Sequence, residues 1–234
     1  VIDARRFQKR GWWLTVERPK YIALEGCIGV GKTTLTHLLA RQLGGRVILE
    51  VVEENPFLPL FYTDRVAHAF KTQLFFLLSR FRQQESLVQE DLFSRGVVSD
   101  YLFAKDRIFA SLTLSSSEMA LYDQLYGVLN TRIVKPDLVI FLQAPLQNIL
   151  ERIKQRGRAF EQNIDVGYLA ALIEAYQQFF AHYSETPLLV VDTADMNFPQ
   201  RPRDFEALWN ILPRITSGTH RFTAQDAQLP LVTP

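Results

Sequence analysis

Gly26-Cys27-Ile28-Gly29-Val30-Gly31-Lys32-Thr33-Thr34 decides how the rest of the chain is read. The stretch fits the pattern G-x-x-x-x-G-K-[ST] without a mismatch. Glycines let a backbone turn tightly enough for several N–H groups to converge on one anion. Lys32 adds a mobile positive charge for outer phosphates, and the Thr33 hydroxyl can hold a magnesium ion. Upstream, Tyr21-Ile22-Ala23-Leu24 is an apolar run suited to a buried parallel strand. Downstream, Leu35, Leu38, Leu39 and Leu43 keep helical spacing. Strand, glycine loop and helix, in that order, aim a helix N-terminus at a phosphate. A glycine turn that merely resembles the motif is the competing reading, and the flanking strand and helix weigh against it. Every residue from Gly26 through Thr34 is therefore a candidate nucleotide contact.

Beyond the loop, apolar runs alternate with helical segments. Residues 46–52 read as a second buried strand that ends among Glu50, Glu53 and Glu54. Asn55-Pro56 interrupts it, because the residue before proline avoids helix. The spacing then predicts one long helix over 62–89, with Tyr62, Val66, Ala69, Gln73, Phe76 and Arg80 on one face. Gln73 and Arg80 are polar residues in an otherwise aromatic and apolar stripe. They face either a pocket or the surface.

Gly96-Val97-Val98-Ser99-Asp100 reads as a third strand with an acid at its carboxyl end, where parallel sheets bind ligands. Ser115 and Glu118 form a capping box before Leu121, Leu125, Val128 and Leu129. Residues 138–142 make a fourth strand, and Pro145 can open a helix carrying Arg152, Arg156, Gly157 and Arg158. A helix over 166–183, a fifth strand over 188–192 and a helix over 205–212 complete the pattern. Strands alternating with helices imply a parallel sheet covered on both faces. Glu50 and Asp100, each ending an apolar strand, should converge near the loop. Phosphoryl transfer needs such a set: a cradle, a metal, a base for the acceptor hydroxyl and arginines for developing charge. Taken singly, acids at strand ends cap helices and arginine clusters are solvated faces. Behind a full phosphate loop the set is harder to dismiss.

The 234-residue chain is long enough for one α/β domain with a sizeable core. A net charge of +1 implies no polyanion-binding surface, so no nucleic-acid partner is expected. No apolar run reaches the ~18 residues a membrane span requires. The single Cys27 cannot form an intrachain disulfide, which fits a cytoplasmic setting, and it reads as a small loop filler. Residues 1–19 alternate Arg5, Arg6, Lys9, Arg10 and Arg18 with Trp12 and Trp13 without clean periodicity. They read as a disordered extension or a start assigned too early, against the alternative of a basic targeting or nucleic-acid-binding arm. Residues 213–234, rich in Thr, Gln, Gly and Pro, read as a flexible tail, which leaves 20–212 as the domain.

Several ordered motifs between Tyr21 and Leu212 resemble the deoxyribonucleoside kinases, in particular the bacterial deoxyguanosine/deoxyadenosine kinase branch. Besides GCIGVGKTT, the segment LEVVEENPFLPLFY is similar to that family's Glu-Pro-Val stretch with its bacterial Asn-Pro continuation. FKTQLFFLLSR resembles the base-binding helix, SDYLFAKD the acidic-Arg-Ser motif, and RIKQRGRAFE the lid. The resemblance implies a P-loop kinase fold, an α/β protein with a five-stranded parallel sheet and helices on both faces. It implies ATP and Mg2+ as cofactors, a deoxyribonucleoside as acceptor, and a homodimer through a helical bundle. By the same match Glu50 is the base for the 5′-hydroxyl, Gln73, Arg80 and Asp106 read the nucleobase, and Tyr62 and Glu161 hold the 3′-hydroxyl. Thr33 and Asp100 fall near the metal, and Arg152, Arg156 and Arg158 fall on the phosphates.

Tyr101 and Leu102 depart from the pattern, since many members carry Arg and Ser there. The residues themselves agree on the chemistry: Glu50 can accept a hydroxyl proton, and Gln73 with Phe57, Phe75 and Phe76 suits a buried base. Two other readings stay open. A thymidylate-type nucleoside monophosphate kinase would need more fixed cations around its acceptor. An inactive scaffold would be expected to have lost the loop or the lid.

Overall fold

In a computed structural model, residues 18–89, 96–158, 161 and 164–228 are described, together with the backbone but not the side chains of 86–89. The expectations for residues 1–17 and 229–234 lie outside them. In chain order the elements are β1 (Tyr21–Gly26), α1 (Lys32–Leu43), β2 (Arg46–Ile48), α2 (Leu58–Thr63), α3 (Arg65–Gln89) and β3 (Val97–Ser99). They continue with α4 (Lys105–Thr113), α5 (Ser116–Asn130), β4 (Leu138–Gln143), α6 (Leu146–Arg156), α7 (Val166–Ala181), β5 (Leu188–Asp192), α8 (Pro202–Ile211) and β6 (Thr219–Phe222).

One sheet runs in the order β2-β3-β1-β4-β5-β6, and every pairing is parallel. Its central strands are buried along almost their whole length, as strands covered on both faces must be. Ile22, Leu24, Leu138 and Ile140 have no exposed surface and pack with Leu35 and Leu39 of α1 and Leu169 and Leu172 of α7. Burying an aliphatic side chain of this size contributes about 1.5–3 kcal/mol. From β1 the chain builds one side of the sheet as β2 and β3, then crosses to build the other. The crevice at the carboxyl ends of β1, β3 and β4 is thus the expected ligand site.

The sheet has six strands, not five. The sixth, β6, falls within the stretch read as a tail; it is short, and only Phe222 of its residues is buried, so it carries no hydrophobic pattern to recognise. The helix expected over 62–89 is two helices, because Asp64 adopts an extended backbone and its carboxylate caps the Ala67 N–H at 3.1 Å. Strand β2 stops at Ile48, leaving Glu50 on the turn beyond it. The capping box forms as expected: the Ser115 side chain accepts from the Glu118 N–H, and Glu118 accepts from the Ser115 N–H at 2.9 Å.

Candidate active site

The loop between β1 and α1 has the backbone that its glycines predict. Gly26 sits at φ +144°, where a Cβ would lie 2.3 Å from the Leu142 carbonyl oxygen. A Cβ on Gly29 would lie 2.7 Å from Ile153 Cγ1, so α6 presses directly on the loop. The N-cap of α1 is Gly31, with no side-chain cap and no acid in the first turn. The opening N–H groups of the helix are therefore left for an anion. Lys32 Nζ donates to the Gly26 and Cys27 carbonyls at 2.7 and 3.2 Å, folded back over the loop. Burial and the neighbouring Lys105 push its pKa down.

The carboxyl ends of β2 and β3 are in register, Ile48 beside Ser99, so the residues that follow them meet. Asp100 is buried and accepts from the Thr33 hydroxyl at 2.7 Å and from the Glu50 N–H at 2.7 Å. The convergence of Glu50 and Asp100 on the loop is thus present. Burial alone would raise the Glu50 pKa, but Arg80 and Lys105 outweigh it and hold this carboxyl well below the usual range. Arg80 pairs through Nη2 with Glu50 Oε1 and through Nη1 with Asp106, and Lys105 Nζ lies 2.7 Å from Glu50 Oε2.

Two cavities open on the loop. The larger, ≈ 620 Å³, is lined by residues 29–34, Arg152 and the segment after β5 that includes Thr193 and Phe198. The smaller, ≈ 180 Å³, is lined by Glu50, Tyr62, Phe76, Arg80, Lys105 and Glu161 among others. Lys32, Thr33, Arg156 and Arg158 line both. These residues mark the seam where a group bound on one side can meet a group bound on the other.

Most of the expected residues are brought together here, with three differences of detail. Arg152 is tied to the Val30 carbonyl at 3.1 Å and to the Thr193 hydroxyl and carbonyl at 2.9 and 2.7 Å, bracing the loop rather than reaching the seam. Gln73 is buried, donates to Thr113 Oγ1 at 3.3 Å, and is not among the residues lining the smaller cavity. Asp106 is likewise buried behind Arg80. Tyr62 and Glu161 share the cavity wall, although Tyr62 comes from α2 and not from the helix of Gln73. Gly157, at φ +68°, ends α6; beyond it Arg158 pairs with Glu53 at 2.8 Å, and Arg156 pairs with Glu161.

Three features escape the sequence reading. Glu25, fully buried, accepts from the Gly26 and Leu102 N–H groups at 2.9 and 2.8 Å; a carboxylate inside an apolar strand was the available signal. The wall after β5 could have been located from its position at a strand's carboxyl end. Lys105 had no signal, because a lone lysine beside an acid reads as solvated surface.

A family model described as deoxynucleoside kinase matches residues 22–215. The chain belongs to the deoxynucleoside kinase family. It is 36% identical over 194 residues to a deoxyguanosine kinase of Bacillus subtilis, covering 80% of this chain and 93% of that one. It is 32% identical over 213 residues to a deoxyadenosine/deoxycytidine kinase of the same organism, covering 88% and 95%. Among solved structures, deoxyadenosine kinase from M. mycoides with dCMP and dCDP bound superposes with a TM-score of 0.73 at 28% identity, covering 83% of this chain and all of that one. The chain is thus a kinase of deoxynucleosides, and the monophosphate-kinase and scaffold readings fall away. Among the described residues no helix is long and apolar enough to cross a membrane.

Proposed function

We propose that this kinase transfers the γ-phosphoryl group of ATP to the 5′-hydroxyl of a purine deoxyribonucleoside. The observation that carries the reading is the seam: Lys32, Thr33, Arg156 and Arg158 border both cavities, with Glu50 on the smaller side. ATP lies in the larger cavity with its phosphates on residues 26–34, and the deoxynucleoside lies in the smaller. Glu50 takes the acceptor proton as the acceptor oxygen bonds to the γ-phosphorus. The bond from that phosphorus to its bridging oxygen breaks, and ADP leaves. Arg156 and Arg158 meet the charge that spreads over the transferring group. Arg152 holds the loop against the wall after β5. Tyr62 and Glu161 take the 3′-hydroxyl, while Arg80 faces the base from the cavity wall with Asp106 paired behind it; Gln73 reaches the base only by leaving Thr113.

A magnesium ion suits the oxygens of Thr33 and Asp100, hard donors 2.7 Å apart beside the phosphate cradle. Bound there, it would neutralise phosphate charge.

The purine preference draws support from the relatives, several of which are named deoxyguanosine or deoxyadenosine kinases. The partner we assign is a second copy of the chain. Leu121, Leu125 and Val128 of α5 are 49%, 38% and 65% exposed and recur along one helix face, and Leu78 of the neighbouring α3 is exposed as well. A cytoplasmic location fits the lone, buried Cys27.

A phosphorylation panel of the four deoxynucleosides with ATP and magnesium, with thymidylate as a further acceptor, tests the reaction. Deoxyguanosine or deoxyadenosine should give the monophosphate fastest; a faster pyrimidine overturns the preference, and phosphorylation of thymidylate alone overturns the acceptor assignment. Light scattering tests the dimer. The parent should run as two copies and Leu125→Glu as one, and a monomeric parent removes the proposal.

A further inference from the structure

Lys105 is the least expected cation in the site. It is 4% exposed, and lysine is seldom buried so far unless paired. It also opens α4, where the helix macrodipole disfavours positive charge. Its ammonium lines the smaller cavity beside Lys32, a like charge. Three unfavourable placements coincide in one side chain, and the contact that offsets them is Glu50 Oε2 at 2.7 Å, with the Phe109 ring 5.6 Å away.

Glu50 holds a cation on each oxygen, and the two are not equivalent. Arg80, on Oε1, has a second anion in Asp106. Arg80 Nε and Asp106 Oδ2 are both buried without a hydrogen-bond partner. A guanidinium and a carboxylate can close a two-point pair, so Arg80 has somewhere to go when it releases Oε1. Among the described residues Lys105 has no ion pair besides the one with Glu50. One oxygen can therefore be freed for an acceptor hydroxyl while the other stays held.

We propose that Lys105 is a positioning residue of the transfer reaction, anchoring Glu50 by Oε2 so that Oε1 faces the acceptor hydroxyl. The inference rests on the assignment of Glu50 as base in the reading above. Lys105 itself exchanges no proton with the substrate. It fixes the rotamer of a carboxylate that sits on a turn beyond β2 and would otherwise follow Arg80.

A double-mutant cycle tests this: the parent, Lys105→Met, Glu50→Gln and the pair combined, assayed for kcat, KM for deoxyguanosine and ATP, and melting temperature. Lys105→Met should lower kcat about a hundredfold, within the range for a misplaced general base. KM for either substrate should change little. Because Lys105 acts through Glu50, adding Lys105→Met to Glu50→Gln should change kcat by no more than about twofold. The combined variant also leaves no buried carboxylate stranded, so it remains informative where the single variant folds poorly. Lys105→Arg should recover part of the lost kcat.

A parental kcat in Lys105→Met overturns the inference, as does a full multiplicative loss in the combined variant. A fall in melting temperature with kcat and KM damaged together, unrescued by arginine, makes the residue merely structural and overturns it too. Failure of the underlying reading is separable. It appears as a parent that does not phosphorylate deoxynucleosides, or as a fully active Glu50→Gln, and either removes the inference along with the reading.

Discussion

The larger cavity takes its walls from two short stretches, 29–34 and 193–200, with arginines of α6 between them. The smaller draws on side chains scattered from Ile28 to Glu161, supplied by the turn after β2 and by α2, α3, α4 and the segment after α6. On the first side much of the work falls to backbone: N–H groups at the start of α1, glycines that allow close approach, and carbonyls that hold Lys32 and Arg152. On the second side the work falls to charged side chains that neutralise each other, Glu50 against Arg80 and Lys105, and Arg156 against Glu161. A site made of backbone is local in sequence and tolerates changes around it. A site made of paired buried charges is non-local, and removing one partner strands another at a cost of about 3–5 kcal/mol.

The sharpest way to break this contrast is at the seam. Lys32→Ala should lower turnover by about a thousandfold or more, as expected for loss of a charge on the transferring phosphoryl group. Its melting temperature should stay close to the parent's, because Lys32 contacts loop carbonyls and not the core. Near-parental turnover in steady-state assays would sink the assignment of the loop.

A smaller effect separates the two arginines four apart on α6. Arg156→Ala should cut kcat by about a hundredfold or more, a larger factor than the loss of deoxynucleoside affinity that follows from unpairing Glu161. Arg152→Ala should act mainly on ATP affinity and stability, because its guanidinium braces the loop to Thr193. Equal kinetic signatures for the two variants would show that both reach the reacting group.

The carboxylates give a further contrast. Glu50→Gln should reduce turnover by roughly a hundredfold with both substrates still bound, and Glu53→Gln, on the exposed turn, only slightly. A dead Glu53→Gln beside an active Glu50→Gln would move the base three residues along the chain.

The smallest effect concerns Cys27. Burial pushes its thiol up to about 12, so the thiolate is scarce at neutral pH and would become abundant only near that value. Iodoacetamide at pH 8 should therefore label the unfolded chain and spare the folded one. Rapid labelling of the native protein, read by mass spectrometry, would contradict this account of the loop.

How much was legible in advance follows the same division. The loop, β1, β4, β5 and the capping box of α5 could be read because each is encoded by neighbours in sequence: glycine spacing, an unbroken apolar run, or a Ser–Glu pair three apart. The break at Asp64 was missed because one residue's backbone conformation leaves hydrophobic spacing almost unchanged. Strand β6 was missed because a short edge strand with one buried residue needs no alternation. Helix α4 leaves no mark of its own in the sequence pattern, although Asp106 lies in its first turn.

The sequence by itself determined the phosphate cradle, the parallel α/β architecture and the meeting of Glu50 with Asp100, since backbone sterics and burial act over a few residues. Only the tertiary structure decided which cations face Glu50, that Arg152 braces while Arg156 reaches the seam, and that Gln73 turns toward Thr113. Those choices are electrostatic and depend on contacts such as Lys105–Glu50 at 2.7 Å, Arg152–Thr193 at 2.9 Å and Gln73–Thr113 at 3.3 Å, between elements tens of residues apart. A local pattern carries no record of such distances until the sheet has set the register of β2 against β3 and the packing of α3 against α4.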